Sequence, residues 1–289
     1  MDVGFPSLEE SHIAIVGLGL MGGSFALALR QAGLGRKLIG IDLDEGARTQ
    51  AAPYFDVVAA DLEPIRQAHL VVLAAPVRAI LRLLQGIERY AAPGAILLDF
   101  GSTKRAILEA MRRLPEHLQP IGGHPLCGRE QSGFAAATPD LFRGARFVLI
   151  PLARTSPQAL DFVEALLRRL EMTPLIMSAE EHDQLLAVTS HLPYLLAACL
   201  MQVALENEKM QERLFQVAAS GFRDTSRLAA SHPRMMLDIL MTNREPVLEA
   251  LRSFQQALSL LQTRLEEGQE AALEGWMEAI RQQRRRLNL

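Results

Sequence analysis

The stretch "HIAIVGLGLMGGS", residues 12–24, decides how the chain is read. An apolar, strand-length run enters Gly17, and Gly17, Gly19 and Gly22 form G-x-G-x-x-G ahead of a helical pattern over 22–33. The spacing gives each glycine a task. Gly17 permits a tight turn, Gly19 lets backbone approach a pyrophosphate, and Gly22 lets helix and strand pack closely. Leu18, Leu20 and Met21 complete the turn, and the helix start offers unpaired N–H groups to phosphate. The motif also asks for an acid at the end of the next strand, about 20 residues on. Asp42 in "LIGIDLDE" meets that demand. Its carboxylate can accept hydrogen bonds from both adenosine ribose hydroxyls and would repel a 2′-phosphate. The expected cofactor is therefore NAD rather than NADP.

Outward from this turn, the pattern repeats. Runs at 12–17, 37–42, 69–76, 95–100, 145–151 and 173–178 are strand-length and rich in Val, Ile and Leu. Helical spacing at 22–33, 44–52, 78–90, 103–114 and 157–170 lies between them. Such alternation predicts βαβ units and a parallel sheet covered on both faces. From about residue 179 strand signals stop, and helical patterns run through 180–205, 208–220, 233–242 and 244–287. Pro193, Pro233 and Pro246 are expected to start or break helices. The reading is an α/β Rossmann-type doubly wound sheet over 1–178, followed by an all-α domain over 179–289. Several of these helices are apolar on more than one stripe, which predicts packing across a subunit interface.

With 49% hydrophobic residues, the 289-residue chain can bury a substantial core. Its net charge of −3 argues against broad electrostatic nucleic-acid binding. The basic run "RQQRRR" at 281–286 reads as a helix C-terminus whose cations complement the dipole. Two cysteines, Cys127 and Cys199, without a CxxC pair predict neither disulfide scaffold nor zinc site. The acidic start "MDVGFPSLEESH" is unlike a signal peptide. No run of about 18 uncharged apolar residues is read. A cytoplasmic protein with no membrane span and no metal is expected.

Ligands in doubly wound sheets sit beyond the carboxyl ends of the strands. There the third of the strands read above ends in Ala75 and Pro76, whose small size and helix-starting ring let a cofactor lie across the edge. The next ends in "LLDFGSTK", bringing Ser102 to the same edge, either as a helix N-cap or as a site hydroxyl. A further strand ends at His124, which opens the glycine-rich stretch "GGHPLCGREQSGF" (122–134), read as a flexible loop. Imidazole, with an unperturbed pKa of about 6.5, suits a proton acceptor for an alcohol undergoing oxidation.

"VGLGLMGGSFALALR", "DFGSTK", "GGHPLCGREQSGF", "EEHDQLLAVTSHLPY" and "GFRDTSRLAASHPRMMLDIL" occur in the order of motifs in the prephenate/arogenate dehydrogenase family, which the chain resembles over about 12–270. The resemblance implies NAD-dependent oxidative decarboxylation of prephenate to 4-hydroxyphenylpyruvate, or of arogenate to tyrosine, by a homodimer joined through its helical domain. It implies that His124 contacts the 4-hydroxyl and that Ser102 hydrogen-bonds in the same site. It makes Arg227 a partner for a carboxylate of the dicarboxylate substrate, with Ser190 and His191 closing on the site. His182, nine residues before His191, need not share its helix face and is read as structural. Three positions depart from the family pattern. Tyr194 stands where a second histidine is frequent, Met235–Met236 replaces a Met-Trp pair, and Arg129 replaces a smaller residue. Tyr194 can still donate a hydrogen bond, and Arg129 could supply positive charge.

Two other readings stay open. One is a β-hydroxyacid-type dehydrogenase, which would need a catalytic lysine in the helical region, where Lys209 lies on a polar segment. The other is a nucleotide-sensing dimer without catalysis. The first strand begins near residue 12 and the helical region runs to the end, so a monofunctional enzyme with no separate tyrosine-sensing domain is expected.

Overall fold

Alternation along the first strand builds both layers. Ile13 and Ile15 point into one fully buried cluster, with Phe25, Leu98, Phe147 and Leu166. Ala14 and Val16 point into the other, with Val71, Leu97, Ile107 and Met111. Burial on both faces explains why these strands read as continuous apolar runs. The computed structural model describes residues 4–129, 131–206 and 211–287; Lys209 lies outside them.

The strands are β1 (His12–Val16), β2 (Lys37–Ile41), β3 (Val57–Ala59), β4 (Leu70–Leu73), β5 (Ile96–Asp99), β6 (Gln119–Pro125), β7 (Arg146–Pro151) and β8 (Thr173–Ile176). They form one sheet in the order 3-2-1-4-5-6-7-8. Helices α1 (Leu20–Gln31), α2 (Glu45–Ala51), α3 (Val77–Leu83), α4 (Arg105–Arg112) and α5 (Pro157–Arg169) connect them. Two differences from the sequence reading stand out. β3 is a three-residue edge strand, too short to carry a pattern. β7 runs antiparallel to β6, and β8 follows β7. A parallel return needs a crossover, usually a helix; among the described residues between β6 and β7 there are only short 3₁₀ turns at Phe134–Ala136 and Pro139–Phe142.

Beyond β8 the described chain is helical: α6 (Ala179–Leu186), α7 (Leu192–Glu206), α8 (Gln211–Gln216), α9 (Ser220–Ser226), α10 (Pro233–Thr242), α11 (Arg244–Glu266) and α12 (Glu270–Arg286). Pro193 does not break its helix. Its missing N–H and its ring are accommodated by a wide π turn at Ala187–His191, and α6 and α7 remain one 28-residue helix. That helix is the longest apolar segment of the described chain, and length and composition are all it shares with a membrane span. By length and composition it is apolar enough to span a bilayer, because residues 184–205 carry no Asp, Glu, Lys or Arg. Among the described residues the helical domain's buried cluster is small: Ala187, Val247 and Ala250, flanked by Leu192, Leu195 and Leu240.

Candidate active site

The glycine turn is shaped for close approach. Gly17 has φ +102° and donates its N–H to Ile41 O at 2.8 Å. A Cβ there would lie 2.4 Å from Ala74 O, and one on Gly22 would lie 1.9 Å from Gly17 O. Gly19 differs, since a Cβ on it would meet nothing within 4 Å. That open space fronts the first turn of α1, where Leu20, Met21 and Gly22 begin the helix and no acidic side chain intrudes. Leu18 contributes backbone only, because its side chain is fully buried in the core. Its N–H donates to Asp42 Oδ2 at 2.7 Å, while Asp42 Oδ1 accepts from Asp44 N at 2.9 Å. Each carboxylate oxygen keeps a lone pair for a ribose hydroxyl. Ala75 is half-buried, and Pro76 is the N-cap of α3. A bare backbone cradle, a helix N-terminus and a held carboxylate fit a dinucleotide.

At the carboxyl ends of β5 and β6 the interior is polar. Asp99 and Lys104 are fully buried and form an ion pair. Together they grip the backbone of one residue on both sides: Gly123 N donates to Asp99 Oδ1 at 3.0 Å, and Lys104 Nζ donates to Gly123 O at 2.6 Å. A Cβ on Gly123 would sit 2.4 Å from Asp99 O. This glycine therefore serves packing rather than flexibility. The loop reading of His124 is corrected accordingly. His124 lies within β6, paired with Val148 of β7, immediately after the clamped Gly123. The far end of the stretch is anchored too. Phe134 packs on Gly23 of α1, and Thr138 N donates to Ser24 Oγ at 3.0 Å.

The helical domain meets this edge through α6. Asp183, fully buried, accepts from Lys104 N at 2.8 Å and Arg105 N at 2.9 Å. It thus caps α4 from another domain, and Ser102 is not the cap. Ser102 stays half-buried at the sheet edge. His182 lies between Asp183 and His124: its Nδ1 is 2.8 Å from Asp183 Oδ1, and its Nε2 is 2.9 Å from His124 Nδ1. The structural reading of His182 is thereby replaced by direct contact with the candidate base. The π turn also alters the helical phase, so His182 and His191 are both buried. Asn243, at the start of α11, donates to Asp183 O at 2.7 Å and lies 3.2 Å from His191 Nδ1.

Crowding sets the charge state. Burial, then the neighbouring His182, Lys104 and His191, hold the His124 pKa well below the usual imidazole value. Burial, reinforced by His182 and opposed by Asp183, pushes His191 down to about 4. Burial also lowers Lys104, against the pull of Asp99 and Asp183. Both His124 and His191 are neutral at pH 7, and a neutral His124 keeps a lone pair for a proton. Burial raises the Cys127 thiol to about 11, which leaves it unreactive.

Other expected residues stand apart from this cluster. Ser190 is exposed on the π turn, and Tyr194 is half-buried at the start of α7. Arg129 is exposed in the segment after β6. Arg227 is exposed at the head of the turn Arg227–Ala230, which packs on α7 and α9. Sequence reasoning missed Asp99, Lys104, Asp183 and Asn243. The charged residues bordering "DFGSTK" and following His182 were the available signal.

A neutral imidazole held at the edge of a dinucleotide-binding sheet is the equipment of a nucleotide-dependent dehydrogenase, and the fold places the chain in that class. Residues 25–173 match the prephenate dehydrogenase nucleotide-binding domain, and 178–279 match the prephenate dehydrogenase dimerization domain. Prephenate dehydrogenase of Bacillus subtilis is 33% identical over 263 residues, covering 89% of this chain and 71% of that protein. The A. aeolicus prephenate dehydrogenase, solved with hydroxyphenyl propionate and NAD+, superposes with TM-score 0.90 at 28% identity, over 98% of this chain and 100% of that one. Synechocystis arogenate dehydrogenase superposes with TM-score 0.82 at 31% identity, over 94% and 98%. The chain belongs to the prephenate dehydrogenase family.

Proposed function

We propose that the enzyme oxidatively decarboxylates prephenate to 4-hydroxyphenylpyruvate. NAD is its cofactor and, when bound, accepts the hydride from the ring carbon that bears the 4-hydroxyl. The observation that carries the reading is His124, neutral and locked in β6 of the sheet that carries the nucleotide cradle. His124 takes the 4-hydroxyl proton as the C–H bond is lost, so the oxygen acquires carbonyl character. The ring carboxylate leaves as CO2, and its bonding electrons aromatise the ring. The oxygen regains a proton to become the phenol, so His124 ends as it began. Proton transfer of this kind contributes about 10²–10⁴-fold.

Ser102, half-buried at the same edge, is proposed to hydrogen-bond to the 4-hydroxyl. His191, Ser190 and Tyr194 are proposed to meet the substrate from the helical side, and Arg227 and Arg129 to meet its carboxylates. Replacing Arg227 by Ala should raise the substrate KM about tenfold, a loss of the order of one charge-assisted hydrogen bond. The division of labour is proposed to fall between 1–178, which holds NAD, and 179–289, which covers the substrate and forms a homodimer. Exposed Leu258, Leu260 and Leu265 on α11, and Val203 on α7, support that dimer. The proposed reaction belongs to the tyrosine branch of aromatic biosynthesis, and the cytoplasm is the proposed setting.

Arogenate is the second reading, favoured by Tyr194 in place of a frequent histidine and by the likeness to the Synechocystis enzyme. Initial rates of NADH formation with prephenate and with arogenate, each with NAD+ and NADP+, decide between them. Turnover of arogenate alone would replace the first reading, and turnover of neither would overturn both.

A further inference from the structure

The hydrogen bonds around His182 have a direction. Asp183 already accepts from two backbone N–H groups, Lys104 N and Arg105 N. A carboxylate in that setting accepts from His182 Nδ1 as well, so the His182 proton sits on Nδ1. A neutral His182 then has its lone pair on Nε2, facing His124 Nδ1 at 2.9 Å. The only compatible neutral form of His124 donates from Nδ1 and leaves Nε2 bare. With the roles reversed, a neutral His182 would carry its proton on Nε2 and set a bare Nδ1 against the Asp183 carboxylate, losing that bond.

We propose that His182 is a positioning residue, which fixes His124 as the Nδ1–H tautomer so that Nε2 presents its lone pair to the substrate hydroxyl. The proposal rests on His124 being the proton acceptor and names the atom that does the work. It also makes that atom depend on how the two domains meet. Asp183, which orients His182, is the same residue that caps α4 of the nucleotide domain. Seating the helical domain on α4 and preparing the base are one event. A protein with the domains parted would hold His124 without a defined tautomer.

The test has two parts. Two-bond ¹H–¹⁵N spectra of ¹⁵N-histidine-labelled protein, without substrate, report which ring nitrogen is protonated. His124 is assigned by the loss of its signals in His124→Asn. The expected result is His124 protonated at Nδ1 and bare at Nε2; the opposite tautomer overturns the proposal. The second part compares His182→Leu with His182→Gln, whose amide oxygen can still accept from His124 Nδ1. His182→Leu should lower kcat about 100-fold, in line with the loss of a tautomer-setting partner, while KM changes less than about twofold. His182→Gln should recover most of that loss. Equal kcat in both variants and the parent enzyme would overturn the proposal. If His182→Leu does not fold, the spectrum and the Gln variant still decide. Full turnover in His124→Asn, with the Nδ1–H tautomer present in the parent, would sink the assigned chemistry while leaving the tautomer assignment standing.

Discussion

The two halves of the molecule finish their folds in different ways. The sheet half is largely self-sufficient, although it borrows the Asp183 cap on α4: two large buried clusters line its sheet, and its buried Asp99 and Lys104 find each other and the Gly123 backbone. The helical half has a core of only a few side chains and leaves Leu258, Leu260 and Leu265 more than half exposed. The contrast teaches that precision and adaptability are kept apart. The base sits on the half whose geometry is over-determined, and the exposed apolar surface of α11 sits on the half that is not.

The strongest challenge to that contrast is chemical. His124→Asn should lower kcat about 10²–10⁴-fold while leaving the dissociation constant of NAD, measured by fluorescence titration, within about twofold. A large loss of NAD affinity would mean that the base and the cradle are not separable. Next comes the clamp. Lys104→Met leaves Asp99 buried without its cation, which should cost about 3–5 kcal/mol. In thermal unfolding that is a fall of roughly 10 °C for a chain of this size, and adding Asp99→Asn should restore part of it. An unchanged midpoint would show that the sheet edge is not held by the pair.

Acid probes the seam between the halves. His191 is held neutral with its pKa depressed to about 4, so the unfolded chain binds a proton that the folded chain refuses. Its stabilising contribution is full above pH 6.5 and is lost as pH falls toward 4. That loss amounts to roughly 3 kcal/mol by the lower limit, at about 1.4 kcal/mol per pKa unit. Urea midpoints between pH 7 and 4 should therefore fall less steeply in His191→Asn than in the parent protein, and parallel curves would contradict this. The smallest effect is expected on the open face. Leu265→Glu should weaken self-association by about 2 kcal/mol, roughly 30-fold, in sedimentation equilibrium. No change would place the subunit contact elsewhere.

Local pattern carried much of this organisation. The glycine turn, the acid at Asp42 and the long buried strands are signals within single segments, and the structure holds them where the pattern puts them. Direction and phase were not local. The reversal of β7 depends on what its connection lacks, and the shared burial of His182 and His191 depends on a π turn that a regular 3.6-residue period cannot foresee. The glycines at 122–123 misled for a different reason. From sequence, a glycine that makes room for Asp99 O looks like one that makes a loop. Asp183 was invisible because its partners, two backbone amides of α4, lie about eighty residues earlier.

The clamp on Gly123 also bears on how substrate choice could evolve in this scaffold. A mutation that moved β6 to suit a new ring substituent would disturb a buried ion pair, two backbone hydrogen bonds and the ladder to Val148 together. Such steps are steep. Changes on the π turn and α7, where Ser190 is exposed and Tyr194 half-buried, carry no such penalty. A lineage changing its substrate should accumulate differences there first, with the strand that bears the histidine inherited almost unaltered.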